Sequence, residues 1–465
     1  RAFDAEPDYA HIALYRWGPE RPWTGFLEEL GAYALDGARF RSLCARHLRE
    51  DIRLSPYHYE ALDRAARLLK LHPGRAWSLA LAGRALCRLP QGAPEASGAR
   101  ALLDRTVRLL PKRGWVYAWR ALADLREGRR DRALADMNEA LALDPFYYRT
   151  YAWRGGLLRR QGKVRAALND LDRALEVDDL YPFSWHERSL ARRALGDWLG
   201  AAQDLDRAFL LDFRYSWVFS AAREAGAEEL ARGAGQLAAA VKRHPQSASL
   251  RAWSGELRLR AGDHSGALRE LEGAARLDPN HGVAQAWLGK ALLEAGLYDQ
   301  AERVLRRAAQ LEPRAPIFRG WQAEAREKAG RPDSALALLD GVLKDHPNLW
   351  WVHQARARCQ LAAGRPRLAL LEAERSLVRE GRSAEGYYLK ALAQLALGRL
   401  PAAEAGVERA LSISPHLGRA YALRAEIRRR RGRPDAALED YRTVRDKFPY
   451  LLNEEERTRV SALLA

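Results

Sequence analysis

Residues Gly282 to Pro313 read GVAQAWLGKALLEAGLYDQAERVLRRAAQLEP. Apolar and small side chains recur at helical spacing on both sides of Gly296, and Pro313 closes the segment, so it predicts two helices folded back on each other. The neighbouring stretches repeat the pattern. Pro245, Pro279, Pro313 and Pro347 recur every 34 residues, and a fixed period of that length marks a helical repeat array.

The unit can be followed through Gly114–Pro145, Tyr148–Asp179, Pro182–Phe213, Ala248–Pro279, Pro316–Pro347, Trp350–Gly381, Ala384–Pro415 and Gly418–Pro449. Position 15 of each is Gly: Gly128, Gly162, Gly196, Gly262, Gly296, Gly330, Gly364, Gly398 and Gly432. Glycine there admits the positive φ that ends a first helix, A. Position 20 is Ala in each, from Ala133 to Ala437, and lets the second helix, B, approach closely. These residues resemble the tetratricopeptide repeat. The resemblance implies an all-α, right-handed superhelical solenoid of antiparallel helix pairs, with ligands in the concave groove lined by the A helices.

The expected organisation is an N-terminal helical cap or diverged repeats over 1–74, an array over 75–449 and a capping helix over 450–465. The cap includes short helices at Phe26–Leu35, Phe40–Leu54 and Tyr59–Leu71. Arg75–Pro111 carries an insertion at Leu89–Pro94, and Arg214–Pro245 is degenerate, with a short first helix. Asn453 before three Glu residues predicts the start of the final helix, because an Asn cap and first-turn acids both suit a helix N-terminus. The chain opens on Arg1, not Met, so an upstream domain or signal peptide is left open. A reducing, cytoplasmic setting is slightly favoured.

The composition is globular, 48% hydrophobic and 29% charged, with a formal charge of +17. About nine of the 77 basic residues are Lys, a ratio that a GC-rich genome explains as well as phosphate binding does. Cys44, Cys87 and Cys359 lie far apart, with no CxxC pair, and predict buried thiols rather than a disulfide or zinc framework. No apolar run reaches membrane-span length. Walker, HExxH and GxSxG motifs are missing, so the expectation is no enzyme, no metal and no cofactor.

Position 7, usually apolar in the family, is Arg120, Arg154, Arg188, Arg356 and Arg424 in five repeats. Sixteen residues later stand Asp136, Asp170, Asp204, Glu372 and Asp440. Where position 7 is Leu288 or Gln322 the later residue is Val304 or Leu338, whereas Ser254 with Glu270 and Lys390 with Gly406 break the pattern. The paired change predicts a bridge from helix A to helix B within a repeat. Asp170-Leu-Asp172 and Asp204-Leu-Asp206 resemble a glycosyltransferase metal motif, but they recur at the repeat spacing and read as scaffold. Arg428–Arg431 reads as a solvated helix end.

On a helix turning about 100° per residue, positions 4, 7, 8 and 11 form one stripe, expected inside the array, and positions 2, 5, 6, 9, 12 and 13 fall on the opposite side, which the resemblance implies is the groove. Trp occupies position 6 five times, at Trp119, Trp153, Trp253, Trp287 and Trp321. Protein O-GlcNAc transferase repeats resemble this arrangement but carry Asn there, so their ligand does not transfer. Two readings stand. Either the Trp line a groove with Arg126, Arg160 and Arg260 at position 13, or each packs against the next A helix. Exposed aromatics would mark a contact surface, with Glu256, Glu324 and Glu426 mixing the charge. The expected function is a non-catalytic scaffold holding a partner protein or peptide. Alternatives are the regulatory or substrate-recognition array of a larger enzyme such as a glycosyltransferase, a glycan- or nucleic-acid-binding groove, and self-assembly. Of these partners nucleic acid is disfavoured.

Overall fold

The structure, a computed structural model, describes residues 75–88, 98–215, 227–347, 349–379 and 383–447. The expected N-terminal cap, Cys44, the Leu89–Pro94 insertion, the first helix of the degenerate repeat and the C-terminal capping helix lie outside them.

Twenty-one α-helices make up the described residues, with no strand among them. Contacts group them into two units that divide between Ala261 and Gly262. The first unit holds α1 (Ala76–Arg88), α2 (Ala99–Leu109), α3 (Gly114–Arg126), α4 (Arg130–Leu143), α5 (Tyr148–Arg160), α6 (Val164–Val177), α7 (Pro182–Ala194), α8 (Trp198–Leu211), α9 (Ala227–Arg243) and α10 (Ala248–Arg260). A short 3₁₀ turn, Phe213–Tyr215, follows α8. The second unit holds α11 (His264–Leu277), α12 (Gly282–Glu294), α13 (Tyr298–Leu311), α14 (Pro316–Lys328), α15 (Pro332–Asp345), α16 (Trp350–Ala362), α17 (Pro366–Arg379), α18 (Ala384–Ala396), α19 (Leu400–Ile413), α20 (Gly418–Arg430) and α21 (Pro434–Lys447).

Within each unit the helices stack as antiparallel pairs, A against its own B and B against the next A. All nine position-15 glycines have positive φ, between 69° and 82°. At Gly296 the following residue, Leu297, donates its N–H to the Leu292 carbonyl at 2.9 Å, the back-bond that satisfies a helix end. The position-20 alanines are buried in every repeat. Gly289 shows how close A and B come: a Cβ there would lie 2.4 Å from Leu305 Cγ.

Helix A is buried on more sides than a single inward stripe allows. Position 8 is buried throughout, as expected. Positions 3 and 10 are buried in each of the nine regular repeats too, and position 6 in all of them but that of Trp321. The reason is a third neighbour, because successive A helices touch one another, as α3 touches α1 and α5, and α14 touches α12 and α16. Position 4, expected inside, is half-buried in all of these repeats but one, His353 being the buried exception. There Tyr117, Trp185 and Tyr421 lie beneath the position-7 guanidiniums of Arg120, Arg188 and Arg424, about 5 Å from ring centre to charge, a favourable cation–π geometry.

Candidate functional site

The predicted A-to-B bridges are present in all five repeats. Arg120 meets Asp136 and Arg154 meets Asp170 with two bonds each of 2.7 Å. Arg188 reaches Asp204 at 3.0 and 2.8 Å, Arg424 reaches Asp440 at 2.6 Å, and Arg356 reaches Glu372 at 3.2 Å. The forked, bidentate form is the strong geometry for guanidinium and carboxylate.

A second arm of the fork escaped sequence reading. Arg120 also bonds Asp104 at 3.1 Å, Arg154 bonds Asn138 at 2.8 Å, Arg188 bonds Asp172 at 2.7 Å, and Arg356 bonds Asp340. Each acceptor stands sixteen residues before its Arg, on the preceding repeat's B helix. Lys390, which breaks the forward rule, keeps this backward arm to Glu374 at 3.0 Å. The signal was an offset of −16, readable beside +16.

Both aspartate pairs are consumed by this scaffold. Asp170 and Asp172 serve Arg154 and Arg188, Asp204 serves Arg188 and Arg192, and Asp206 accepts from Trp253 Nε1 at 2.9 Å and from the Ser249 hydroxyl. Only part of the Arg run is a solvated helix end: Arg429 and Arg430 are exposed and grip Glu426, whereas half-buried Arg428 and Arg431 converge on Glu404 of the preceding B helix. Acids from two repeats thus offset part of the charge that the run brings to that helix end. Cys87 and Cys359 are buried and free, and burial pushes both thiols up to about 12, away from reactive thiolate.

The Trp residues stand as position 6 requires, but not in solvent. Trp119, Trp153, Trp253 and Trp287 are 0–6% exposed, and Trp321 is half-buried. Of the two readings, packing holds for these four, against a neighbouring A helix for Trp119, Trp153 and Trp287 and against the B helix α8 for Trp253. Trp119 meets Trp153 edge-on at 5.0 Å, Trp253 meets Phe209 at 5.7 Å, and Trp287 meets Trp321 at 5.1 Å. In the first unit two of the indoles are capped by tyrosines 28 residues later: Trp119 Nε1 donates to the Tyr147 hydroxyl at 3.0 Å, and Trp153 Nε1 to Tyr181 at 3.2 Å. In the repeat that follows, Glu187 takes the Trp slot and receives Arg159 at 2.8 Å and Arg160 at 3.3 Å.

The position-13 cations keep part of their surface. Arg126 is half-buried and donates to the Cys87 carbonyl at 3.0 Å. Arg160 and Arg260 are exposed, beside Glu187 and, at 3.6 Å, Glu256.

What remains accessible on the A-helix face differs between the units. In the first, Trp115 and Phe183 at position 2, Leu122 and Leu190 at position 9 and Leu125 at position 12 are half-buried. Arg126, Arg159 and Arg160 border them. In the second, Trp351 at position 2, Leu392 at position 9 and Leu361 and Leu395 at position 12 are likewise half-buried, but position 9 of three successive repeats carries Lys290, Glu324 and Arg358, and Lys290 Nζ lies 3.1 Å from Glu324. Burial pushes the Glu324 carboxyl up, but Lys290 and Arg358 outweigh it and hold it below its ordinary value.

The same repeat is found in known proteins. Tetratricopeptide repeat families match residues 119–184, 221–281 and 355–418, residues 258–325, and residues 321–349, together more than half the chain. The chain is a tetratricopeptide repeat protein. Proteins of this family are generally non-catalytic scaffolds that mediate protein interactions. No curated protein matches. Among solved structures, the tetratricopeptide chain is similar to one from the APC/C hetero-tetramer Cut9–Hcn1, at 14% identity over 91% of this chain and 97% of that one, with a TM-score of 0.47. Yeast Tom70 aligns at 13% identity over 92% and 96%, with a TM-score of 0.39. A thermophilic tetratricopeptide protein of Thermus thermophilus aligns at 21% identity over 39% and 98%, with a TM-score of 0.37.

Proposed function

We propose that this tetratricopeptide repeat protein is a non-catalytic scaffold that holds an extended peptide or partner helix along the A-helix face of its first unit. One observation carries the reading. Half-buried Trp115, Leu122, Leu190 and Phe183 share that face with Arg126, Arg159 and Arg160 on its border, an apolar centre with a polar rim of the kind interfaces use. The corresponding face of the second unit is crossed by the Lys290–Glu324 ion pair, which a ligand would have to displace. Trp321 and Arg260 remain candidate contacts in their own units. The four buried Trp act through the shape they impose on the A helices.

The test is affinity capture followed by titration of the captured partner, comparing wild type with a Leu122→Glu, Leu190→Glu variant. Both positions are half-buried, and circular dichroism checks that the variant folds. Removing two central anchors is expected to weaken binding by about 30-fold or more, from roughly 2 kcal/mol at a hot spot. Unchanged binding by a folded variant would overturn the reading.

A further inference from the structure

Four of the turns that join B helices to the next A helices share one device. At Asp144, Asp178, Asp212 and Asp278 the carboxylate accepts the N–H two residues on, from Phe146, Leu180, Arg214 and Asn280, at 2.9–3.1 Å. The side chain at that second residue, position 33 of the repeat, is thus not needed to form the turn. In the second unit it is polar and exposed at Asn280, Arg314 and His416. In the first unit Arg214 is likewise exposed, but Phe146, 66% exposed, and Leu180, 38% exposed, are apolar.

Three residues earlier in the repeat, Leu109, Leu143 and Leu211 are also exposed, as is Leu277 in the second unit. The apolar centre has a basic end. Arg105, Arg108, Lys112 and Arg113 are all exposed, and among the described residues no ion pair joins them to an acid. Of the nearby acids, Glu176 is held by Arg173 and Asp212 by Arg214, while Asp179 stays exposed.

We propose that this seam docks the first unit onto an anionic lipid surface, with Phe146 and Leu180 entering the headgroup layer and Lys112 and Arg113 meeting lipid phosphates. Two features favour lipid over a protein partner. Phe146 and Leu180 stand on the tips of successive turns, with exposed leucines three residues before position 33 in neighbouring repeats, a spread that suits insertion into a fluid layer more than docking in a fitted pocket. The flanking cations match the attraction of an anionic leaflet for juxtamembrane Lys and Arg. Contact would be peripheral, since no helix among the described residues is long and apolar enough to cross a membrane. The residues of this seam are not those of the A-helix face proposed to hold a peptide, so the two sets of variants test the proposals separately.

The experiment is co-sedimentation of the full chain with vesicles of equimolar phosphatidylglycerol and phosphatidylcholine, beside vesicles of phosphatidylcholine alone. Wild type should pellet with the first and poorly with the second. Phe146→Asn with Leu180→Asn copies the second unit's turn at Asn280 and so should fold, which circular dichroism checks. It should lose most of the binding that survives added salt. Lys112→Asn with Arg113→Asn should lower partitioning by about five-fold per cation, an effect that vanishes at high ionic strength. Equal pelleting with both vesicle types, pelleting with neither, or unchanged binding by the double Asn turn variant would each overturn the proposal. So would a dimer in analytical ultracentrifugation that the same variant dissociates, which would assign the seam to a second copy of the chain.

Discussion

Trp119 and Tyr147 are both buried, and the indole N–H of one donates to the hydroxyl of the other at 3.0 Å. The bond joins the A helix of one repeat to Tyr147, the N-cap residue of the next repeat's A helix. Tyr147→Phe removes the acceptor and leaves a buried donor, which costs roughly 1–3 kcal/mol. Chemical denaturation should show that loss with an unchanged m-value. A variant as stable as wild type would mean that the indole finds another acceptor.

The Arg–acid fork can be tested against an apolar copy supplied by the chain itself. Asp170→Val alone leaves Arg154 with only its bond to Asn138 and should destabilise by roughly 1.5–3 kcal/mol, the range for a hydrogen bond to a charged group. Arg154→Leu with Asp170→Val reproduces Leu288 and Val304 of the repeat at 282–313 and should recover most of the loss. If the double variant is no better than the single, the bridge is not the reason the two positions change together.

Gly289→Val should destabilise by roughly 1–3 kcal/mol through overpacking. Leu305 is fully buried, and its Cγ would lie 2.4 Å from a new Cβ. Gly and Val differ little in helix propensity, so the clash sets the sign. A melting temperature at or above wild type would show that α12 and α13 can part without cost.

Two buried acids should shape the pH dependence in opposite senses. Burial raises the Glu372 carboxyl, but its bond to His353 and the charge of Arg356 outweigh this, taking it from 4.5 to about 2. Its contribution is present above pH 4.5 and lost as pH falls through about 2. Burial raises Glu256 from 4.5 to about 8, only partly offset by Arg260. The folded state holds that proton, so stability falls as pH rises from 4.5 through about 8. Glu256→Gln should flatten the melting-temperature profile on the alkaline side, and Glu372→Gln on the acid side. A profile that neither variant changes would place the titrating groups elsewhere.

What could be read from the residues alone was whatever repeats at fixed register within one hairpin. Gly at position 15, Ala at position 20 and the Arg-to-acid offset of sixteen each describe one A helix and its own B helix, and each reappears in the folded chain. The Trp at position 6 could not be placed by the same arithmetic. Helical angles say which way a side chain points, not what stands in front of it, and here a neighbouring helix does. Tyr147 and Tyr181 were overlooked for a related reason. They lie at the junction between repeats, and their offset of 28 has meaning only once a second hairpin is in place.

The backward arm of the fork has a consequence for how the array comes apart. Arg188 is tied to Asp204 of its own repeat and to Asp172 of the one before, so neither hairpin can swing open without loosening the other's acid. Opening in the first unit is thereby made a collective event over several repeats. Amides of α5, α7 and their B helices should exchange with solvent at a common, slow rate instead of fraying one hairpin at a time.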